Sequence, residues 1–440
     1  MEGYTLVKNI DTRKTDIIVA GGGPAGFAAA VTAAVNGADV LLVEKLNCLG
    51  GMGTAGLVGP FMPTDGAKGG IYGELIKRLK KGGAVRNSRD YRIPNCFDTE
   101  QYKYTAQVMC EEAGVNFLFN SYIADVICED RVVRGIVIAN KRGLQAVEAQ
   151  VIIDATGDGD VAYYAGAGYQ QGDENGICQP TSYMFNIGGL KSINLSEDDK
   201  ERLKEQLALA RKQGRITLPQ HVDSIWNWTD SIGEGSTIRD GEATINIDMT
   251  AGIDATDPEA LTQAELDGRR YIRECMWFFR MYIPGAEDAY ITKTACLHGV
   301  RETRRILGKY YLTAADVLNG SKFEDGICKA SFCIDVHGPA RKKSCEEWKL
   351  IPFRCLPWGD WYEIPYRSLV PESIGNMLVA GRCISSDHAA NGSLRVMPTC
   401  MCTGQAAGMA AAMALKKGIS PGDLDGVKVR EVLIASGADL

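Results

Sequence analysis

Six residues near the start of the chain, Gly21-Gly22-Gly23-Pro24-Ala25-Gly26, leave few folds open. They follow a short β-branched run, Asp16–Ala20, and precede the alanine-rich stretch Ala25–Asn36, which gives way to a second apolar run, Asp39–Val43. The order reads strand, tight turn, helix, strand. Both runs are continuously apolar, as expected of strands in a parallel sheet covered on both faces. Each glycine of the G-x-G-x-x-G spacing has its own role. Gly21 makes the turn, Gly23 lets a pyrophosphate approach the amides at the positive helix end, and Gly26 lets helix and strand pack closely. Glu44 ends the second run 18 residues after Gly26, where a carboxylate accepts hydrogen bonds from ribose hydroxyls. A phosphate on that ribose would be repelled. The spacing predicts a dinucleotide-binding βαβ unit.

The next stretch, Leu49 to Gly56, offers bare amides at Gly50 and Gly51 for a second phosphate, with a flexible loop as the alternative. Glycine, at 50 of 440 residues, has no collagen-like period and points to close backbone approach. A helical pattern over Asp98–Ala113 and a strand over Val115–Phe119 follow, then three short alternating segments, Ile123–Cys128, Val132–Ala139 and Leu144–Ala149, which predict a meander. Val151–Ala155 resumes the buried-strand pattern. Past Pro180 the style changes to helices with charged faces, Ser196–Gln213 and Leu261–Met281, and to Trp226, Trp228 and Trp277. Ser196 and Asp199 have capping-pair spacing. The strand Asn376–Ala380, the small-residue helix Pro398–Lys416 and a helix near Asp423–Ala435 return to the first style. We therefore expect residues 1–180 and 351–440 to form one discontinuous nucleotide-binding domain, with an α+β substrate or cap domain at 181–350.

A net charge of −7 gives no footprint for nucleic acid or an anionic membrane surface. Met1–Asp16 has no signal-like apolar stretch, and Ala406–Leu415 is too short to span a bilayer, so a cytoplasmic protein is expected. Fourteen cysteines without a Cys-x-x-C pair fit reduced thiols; Cys400/Cys402 and Cys328/Cys333 read as core filler, and no metal site is expected.

Asp154-Ala155-Thr156-Gly157-Asp158-Gly159-Asp160 closes a buried strand. Together with the glycine turn, Glu44, Leu49-Gly50-Gly51 and the segment Asn376–Gly408, it resembles the FAD-dependent oxidoreductase family of the glutathione-reductase-like superfamily, over essentially the whole chain. The resemblance implies an α/β, Rossmann-like FAD-binding fold. It implies a cofactor site made by Gly21, Gly23, Pro24, Ala25, Gly26, Glu44, Lys45, Gly50, Gly51, Thr156, Gly157 and Asp158, and by Gly381, Ser393, Met397 and Thr399 of the C-terminal loop and helix, which would lie against the isoalloxazine ring. Pro398 suits a first helical turn, and that helix's positive end would stabilise reduced flavin.

His298, Arg301, Arg304 and Arg305 crowd the segment Cys296–Arg305. They could bind an anionic or oxygen-rich substrate and move a proton, or equally form structural ion pairs. As a helix, the segment would put Arg301 on a face with Arg305 and His298 with Arg301. His388 and Arg395 flank the expected flavin loop, and with His298 and Arg301 they are the catalytic candidates. His221 and His337 read as loop residues, and Trp277-Phe278-Phe279 as core or interdomain surface. Only Cys48 lies where a disulfide reductase needs a redox pair, and a second nucleotide motif is missing, so neither that activity nor a built-in NADPH domain is expected. The expectation is an enzyme moving a hydride between a small-molecule carbon and flavin N5. A fumarate-reductase-like ene-reductase and an electron-carrier subunit are the alternatives; a homo-oligomer and an electron-transfer partner stay open.

Overall fold

In a computed structural model the described residues are 10–440, without 63, 65–68, 87–94, 192–194, 221, 223–224, 226–236, 250–251 and 338–355. His221, Trp226 and Trp228 thus lie outside the described residues. Five parallel strands run in the order Met377–Val379, Val151–Asp154, Ile17–Ala20, Val40–Val43, Asn116–Leu118. The first four are wholly buried, which explains their unbroken apolar runs. This α/β sheet carries a Rossmann-like βαβ unit, its helix spanning Pro24–Val35. The meander forms as expected: Tyr122–Glu129, Val132–Asn140 and Gly143–Glu148 pair antiparallel, and Thr12–Lys14 adds a parallel edge.

The C-terminal helix Met397–Lys417 lies across the Pro24–Val35 helix at very short range. A Cβ on Gly404 would stand 2.0 Å from the Ala25 carbonyl oxygen, and one on Gly408 2.3 Å from that of Ala29. Only glycine allows this approach.

Buried apolar residues fall into two large clusters and a small third one of Leu57, Met184 and Ala295. Of the two large ones, the larger takes in the parallel sheet and its helices; the smaller runs from Tyr183 to Ala289. The smaller one is built on the antiparallel strands Ala243–Asp248, Ser182–Gly188 and Tyr290–Thr294. Helices Glu197–Lys212, opened by a Ser196/Asp199 capping box, and Pro258–Tyr282 cover it. Phe278 and Phe279 are fully buried there, and Trp277 is partly buried against the cluster. Ile306, Leu312, Ile327, Cys328 and Ile334 belong to the larger cluster.

Two local readings change. Cys296–Arg305 is not a helix: Gly299 and Ser182 exchange backbone hydrogen bonds at 2.8 Å each way, and Arg304–Ile306 is a strand paired with Tyr169–Gln171. The face-sharing of His298, Arg301 and Arg305 falls with it. Conversely, the expected loop at 381–396 contains a short helix, His388–Leu394, started by Asp387, whose side chain accepts from Ala390 N at 2.6 Å.

Candidate functional site

Gly23 starts the Pro24–Val35 helix without a side-chain cap, and Pro24 follows it. The first-turn amides are thereby left for a ligand at the positive helix end. Gly21 has φ 96°, and a Cβ there would stand 2.5 Å from the Ala155 oxygen; at Gly26 it would stand 1.8 Å from the Gly21 oxygen. Above Gly23 a Cβ would meet nothing within 4 Å. Two of the three motif glycines are thus required by packing, while the third faces open space.

Glu44 is buried, and its two oxygens accept from Gly22 N at 2.6 Å and Leu46 N at 2.8 Å. The carboxylate therefore fixes the glycine turn itself, with lone pairs remaining for a ribose. Gly50 N donates to Gly22 O at 2.9 Å, and a Cβ on Gly51 would lie 3.0 Å from Gly23 Cα, so the Leu-Gly-Gly segment rests on the turn. A Cβ on Gly53 would lie 2.9 Å from the Met397 sulfur.

Asp154 is fully buried and accepts from Thr156 N, Thr156 Oγ1 and Ala162 N at 3.1, 2.7 and 3.0 Å. Burial pushes its carboxyl up to about 6 despite these bonds. Burial acts the same way on Asp158, but Arg382, Lys45 and the Thr303 hydroxyl outweigh it and hold that carboxyl below its ordinary range. Arg382 Nη2 donates to Asp158 at 2.7 Å beside Gly157 (φ 83°). Gly381 has φ 84°, and its amide donates to Thr403 Oγ1 at 3.1 Å.

Of the four catalytic candidates, three share one network. Arg301 donates to Asp248 at 2.7 Å and to Pro180 O at 2.6 Å. Asp248 lies 2.9 Å from His337 Nδ1, and His337 Nε2 lies 3.0 Å from Asp335. Arg395 Nη2 donates to Asp335 O at 2.9 Å. Gln179 links this row to a second one: its Oε1 accepts from His337 N at 3.2 Å, and its own amide donates to Glu302 at 3.2 Å. Glu302, fully buried, also holds Arg305 and, at 2.9 Å, His388 Nδ1. Burial raises Asp248, but Arg301 and His337 hold it well below the carboxylate range. Burial, with Arg301 nearby, lowers Arg395 to about 10, which leaves it charged at neutral pH.

His298 stands apart. Its Nε2 is 2.8 Å from Thr181 Oγ1, and its Nδ1 is 3.3 Å from Glu265 on the Pro258–Tyr282 helix, against the ring of Tyr183. The Ser393 hydroxyl is committed to Phe332 O at 2.6 Å and Tyr362 OH at 2.7 Å, so it pins the short His388–Leu394 helix. His337, read as a loop residue, is a central member of the network. Asp248, Asp335, Glu302 and Arg382 carried no local signal beyond being polar residues in or beside apolar segments.

A family model described as FAD dependent oxidoreductase matches residues 16–433. The chain belongs to the FAD-dependent oxidoreductase family. Thiamine thiazole synthase of Methanococcus aeolicus is 29% identical over 164 residues, 35% of this chain and 59% of that protein, so the match spans less than two thirds of the relative. Among solved structures, a geranylgeranyl bacteriochlorophyll reductase-like protein from Thermoplasma acidophilum is 13% identical, with 97% of this chain and 84% of that one covered at a TM-score of 0.48. The p-nitrophenol 4-monooxygenase of Pseudomonas putida is 11% identical, with 98% and 87% covered at 0.47.

This FAD-dependent oxidoreductase has residues that fit its cofactor. The open space over Gly23 suits a pyrophosphate. On the segment leading into the Met397–Lys417 helix and in its first turn, Arg382 Nη1, Asn391 Oδ1, Arg395 Nε and Thr399 Oγ1 are buried without a partner among the described residues. Each such atom costs about 1–3 kcal/mol unless a polar group meets it. The helix itself starts at Val396 without a side-chain cap. Among the described residues, no helix is long and apolar enough to cross a membrane.

Proposed function

We propose that this FAD-dependent oxidoreductase moves a hydride between a carbon of a small molecule and flavin N5, where Arg301, His388 and Arg395 meet. The observation that carries the reading is their junction in one buried polar network beside the start of the Met397–Lys417 helix. When bound, FAD supplies the two-electron chemistry. His388 is the group suited to the accompanying proton: Glu302 fixes its Nδ1, and among the described residues its Nε2 has no partner. Arg395 supplies positive charge, and Arg301 holds the cap side. The substrate class is anionic or oxygen-rich, met by the hydrogen-bonding atoms His388 Nε2, Arg395 Nε, Asn391 Oδ1 and Thr399 Oγ1.

The finer placement in the glutathione-reductase-like superfamily is part of this reading, supported by the meander and by the C-terminal strand joining the parallel sheet. So is a domain division in which 181–298 forms the cap and the FAD-binding body resumes near residue 300, supported by the two core clusters. A cytoplasmic location belongs here too. Turnover requires a second partner that gives or takes electrons. The test is anaerobic screening of small molecules for flavin bleaching, followed by His388→Ala. A bleaching compound whose reaction slows by about 10²-fold or more in the variant supports the reading. Bleaching by a protein partner alone would replace it with the electron-carrier reading.

A further inference from the structure

The imidazole of His337 stands between two carboxylates, with Nδ1 2.9 Å from Asp248 Oδ2 and Nε2 3.0 Å from Asp335 Oδ2. An ionised carboxylate only accepts, and neutral imidazole has one N–H, so between two ionised carboxylates both contacts are hydrogen bonds only when both nitrogens carry protons. Asp248 does not supply the missing proton, because Arg301 and His337 keep it ionised. Each carboxylate also meets an arginine: Arg301 on the other oxygen of Asp248 at 2.7 Å, and Arg395 on Asp335, 2.9 Å from its carbonyl and 3.5 Å from the Oδ2 that His337 meets. Charge therefore alternates along Arg301, Asp248, His337, Asp335 and Arg395. The row starts at the cap strand Ala243–Asp248 and ends two residues before the Met397–Lys417 helix. The His337 amide adds Gln179, and through it Glu302 and His388.

We propose that His337 is a positioning residue, an imidazolium bridge between Asp248 and Asp335 that sets Arg395 for the flavin and ties the cap to the body. The role rests on the reading that Arg395 acts at the flavin. Loss of the second imidazole proton turns a lone pair toward one carboxylate at about 3 Å. Two acceptors then face each other, and Asp335 with Arg395 is released. Among the described residues, the charged groups around the ring are Asp248, Asp335, Arg301 and Arg395, with Glu302 one step away through Gln179.

The experiment uses the FAD-loaded protein with His337→Gln, Arg395→Lys and both changes together. Bound FAD is checked by absorbance, and the flavin midpoint potential is titrated with dithionite and a reference dye between pH 6 and 9. Ring-nitrogen NMR of histidine-labelled protein is simple to assign because the chain has 4 histidines, and the signal lost in His337→Gln identifies the residue. The expected wild-type signal shows both ring nitrogens protonated at neutral pH. Each single change should lower the reduced-to-oxidised ratio at fixed potential by about tenfold, about 30 mV for a two-electron couple. The double variant should match either single one, because both act through the same guanidinium. The wild-type potential should carry an ionisation that His337→Gln lacks. A neutral imidazole, or additive shifts in the double variant, overturns the role of His337. An unchanged potential in Arg395→Lys overturns the flavin-site reading, and this role with it. Should His337→Gln misfold, Asp335→Asn breaks the same bridge and must give the same shift.

Discussion

Gly23 and Gly26 are three residues apart in the same turn, yet replacement by alanine should have opposite consequences. At Gly26 the new methyl would stand 1.8 Å from the Gly21 oxygen and 3.3 Å from the Ala155 side chain. The first distance is about half a normal contact, so the helix must move off the strand, at roughly 1–3 kcal/mol by analogy with overpacked cores. At Gly23 the methyl meets no protein atom within 4 Å, and φ −65° with ψ −172° is open to any residue. Alanine there trades a favourable loss of unfolded-chain entropy, about 0.4–1 kcal/mol, against a somewhat poorer helix cap, so the apoprotein should keep its stability within about 1 kcal/mol. A phosphate oxygen at about 2.9 Å from the helix amides, however, occupies the space the methyl takes. FAD affinity should drop by about 100-fold or more, the equivalent of about 3 kcal/mol. Denaturation midpoints of the apoproteins and calorimetric FAD titration separate the two effects. Gly23→Ala with wild-type FAD affinity would refute the assignment of the turn, and Gly26→Ala with wild-type stability would refute the packing argument.

Gly404→Ala should destabilise the fold by about 1–3 kcal/mol, net of the helix propensity it gains, because its methyl would stand 2.0 Å from the Ala25 backbone oxygen; a denaturation midpoint at or above wild type contradicts the helix crossing. Asp154 should give stability the opposite pH slope from an ordinary paired carboxylate: its folded value is raised from 3.8 to about 6, so the contribution is full below pH 4 and lost as pH rises through 6. The loss is about 3 kcal/mol for this fully buried group, and urea midpoints from pH 4 to 7 should show it in wild type and not in Asp154→Asn, whatever that variant's absolute stability.

The parts of the fold that could be read from sequence are those set by neighbours in the chain. The glycine turn, Glu44 and the buried strands are local: their geometry is imposed within a few residues, and burial on both faces leaves continuous apolar runs. The segment from His298 to Arg305 misled because charged residues spaced by three and four imitate a helical face. Its backbone instead bonds to Ser182, and the arginines part company, Arg301 to Asp248 and Arg305 to Glu302. His337, Asp248 and Asp335 were invisible for a different reason. Asp335 and His337 stand two residues apart in a segment with no motif around them, Asp248 ends a distant strand, and only the tertiary fold brings Asp248 within 2.9 Å of His337. The second core cluster was legible as a change of style, from buried parallel strands to helices with charged faces.

The charge balance around the network says what kind of chemistry it can serve. Arg301, Arg304, Arg305, Arg382 and Arg395 are matched one for one by Asp248, Asp160, Glu302, Asp158 and Asp335. A buried charge without a partner costs several kcal/mol, and pairing removes that cost while also using up the charge as a means of recognition. What stays available is a set of hydrogen-bonding atoms: His388 Nε2, Arg395 Nε, Asn391 Oδ1 and Thr399 Oγ1. Such a set orients a polar group and accepts or returns one proton, while a charged His337 leaves the row Arg301, Asp248, His337, Asp335 and Arg395 with one cation more than its two carboxylates match. On the proposed reading, flavin and substrate are therefore held by directed hydrogen bonds beside that row, and His388, whose tautomer Glu302 dictates, is among the described residues the member with a free ring nitrogen for the proton.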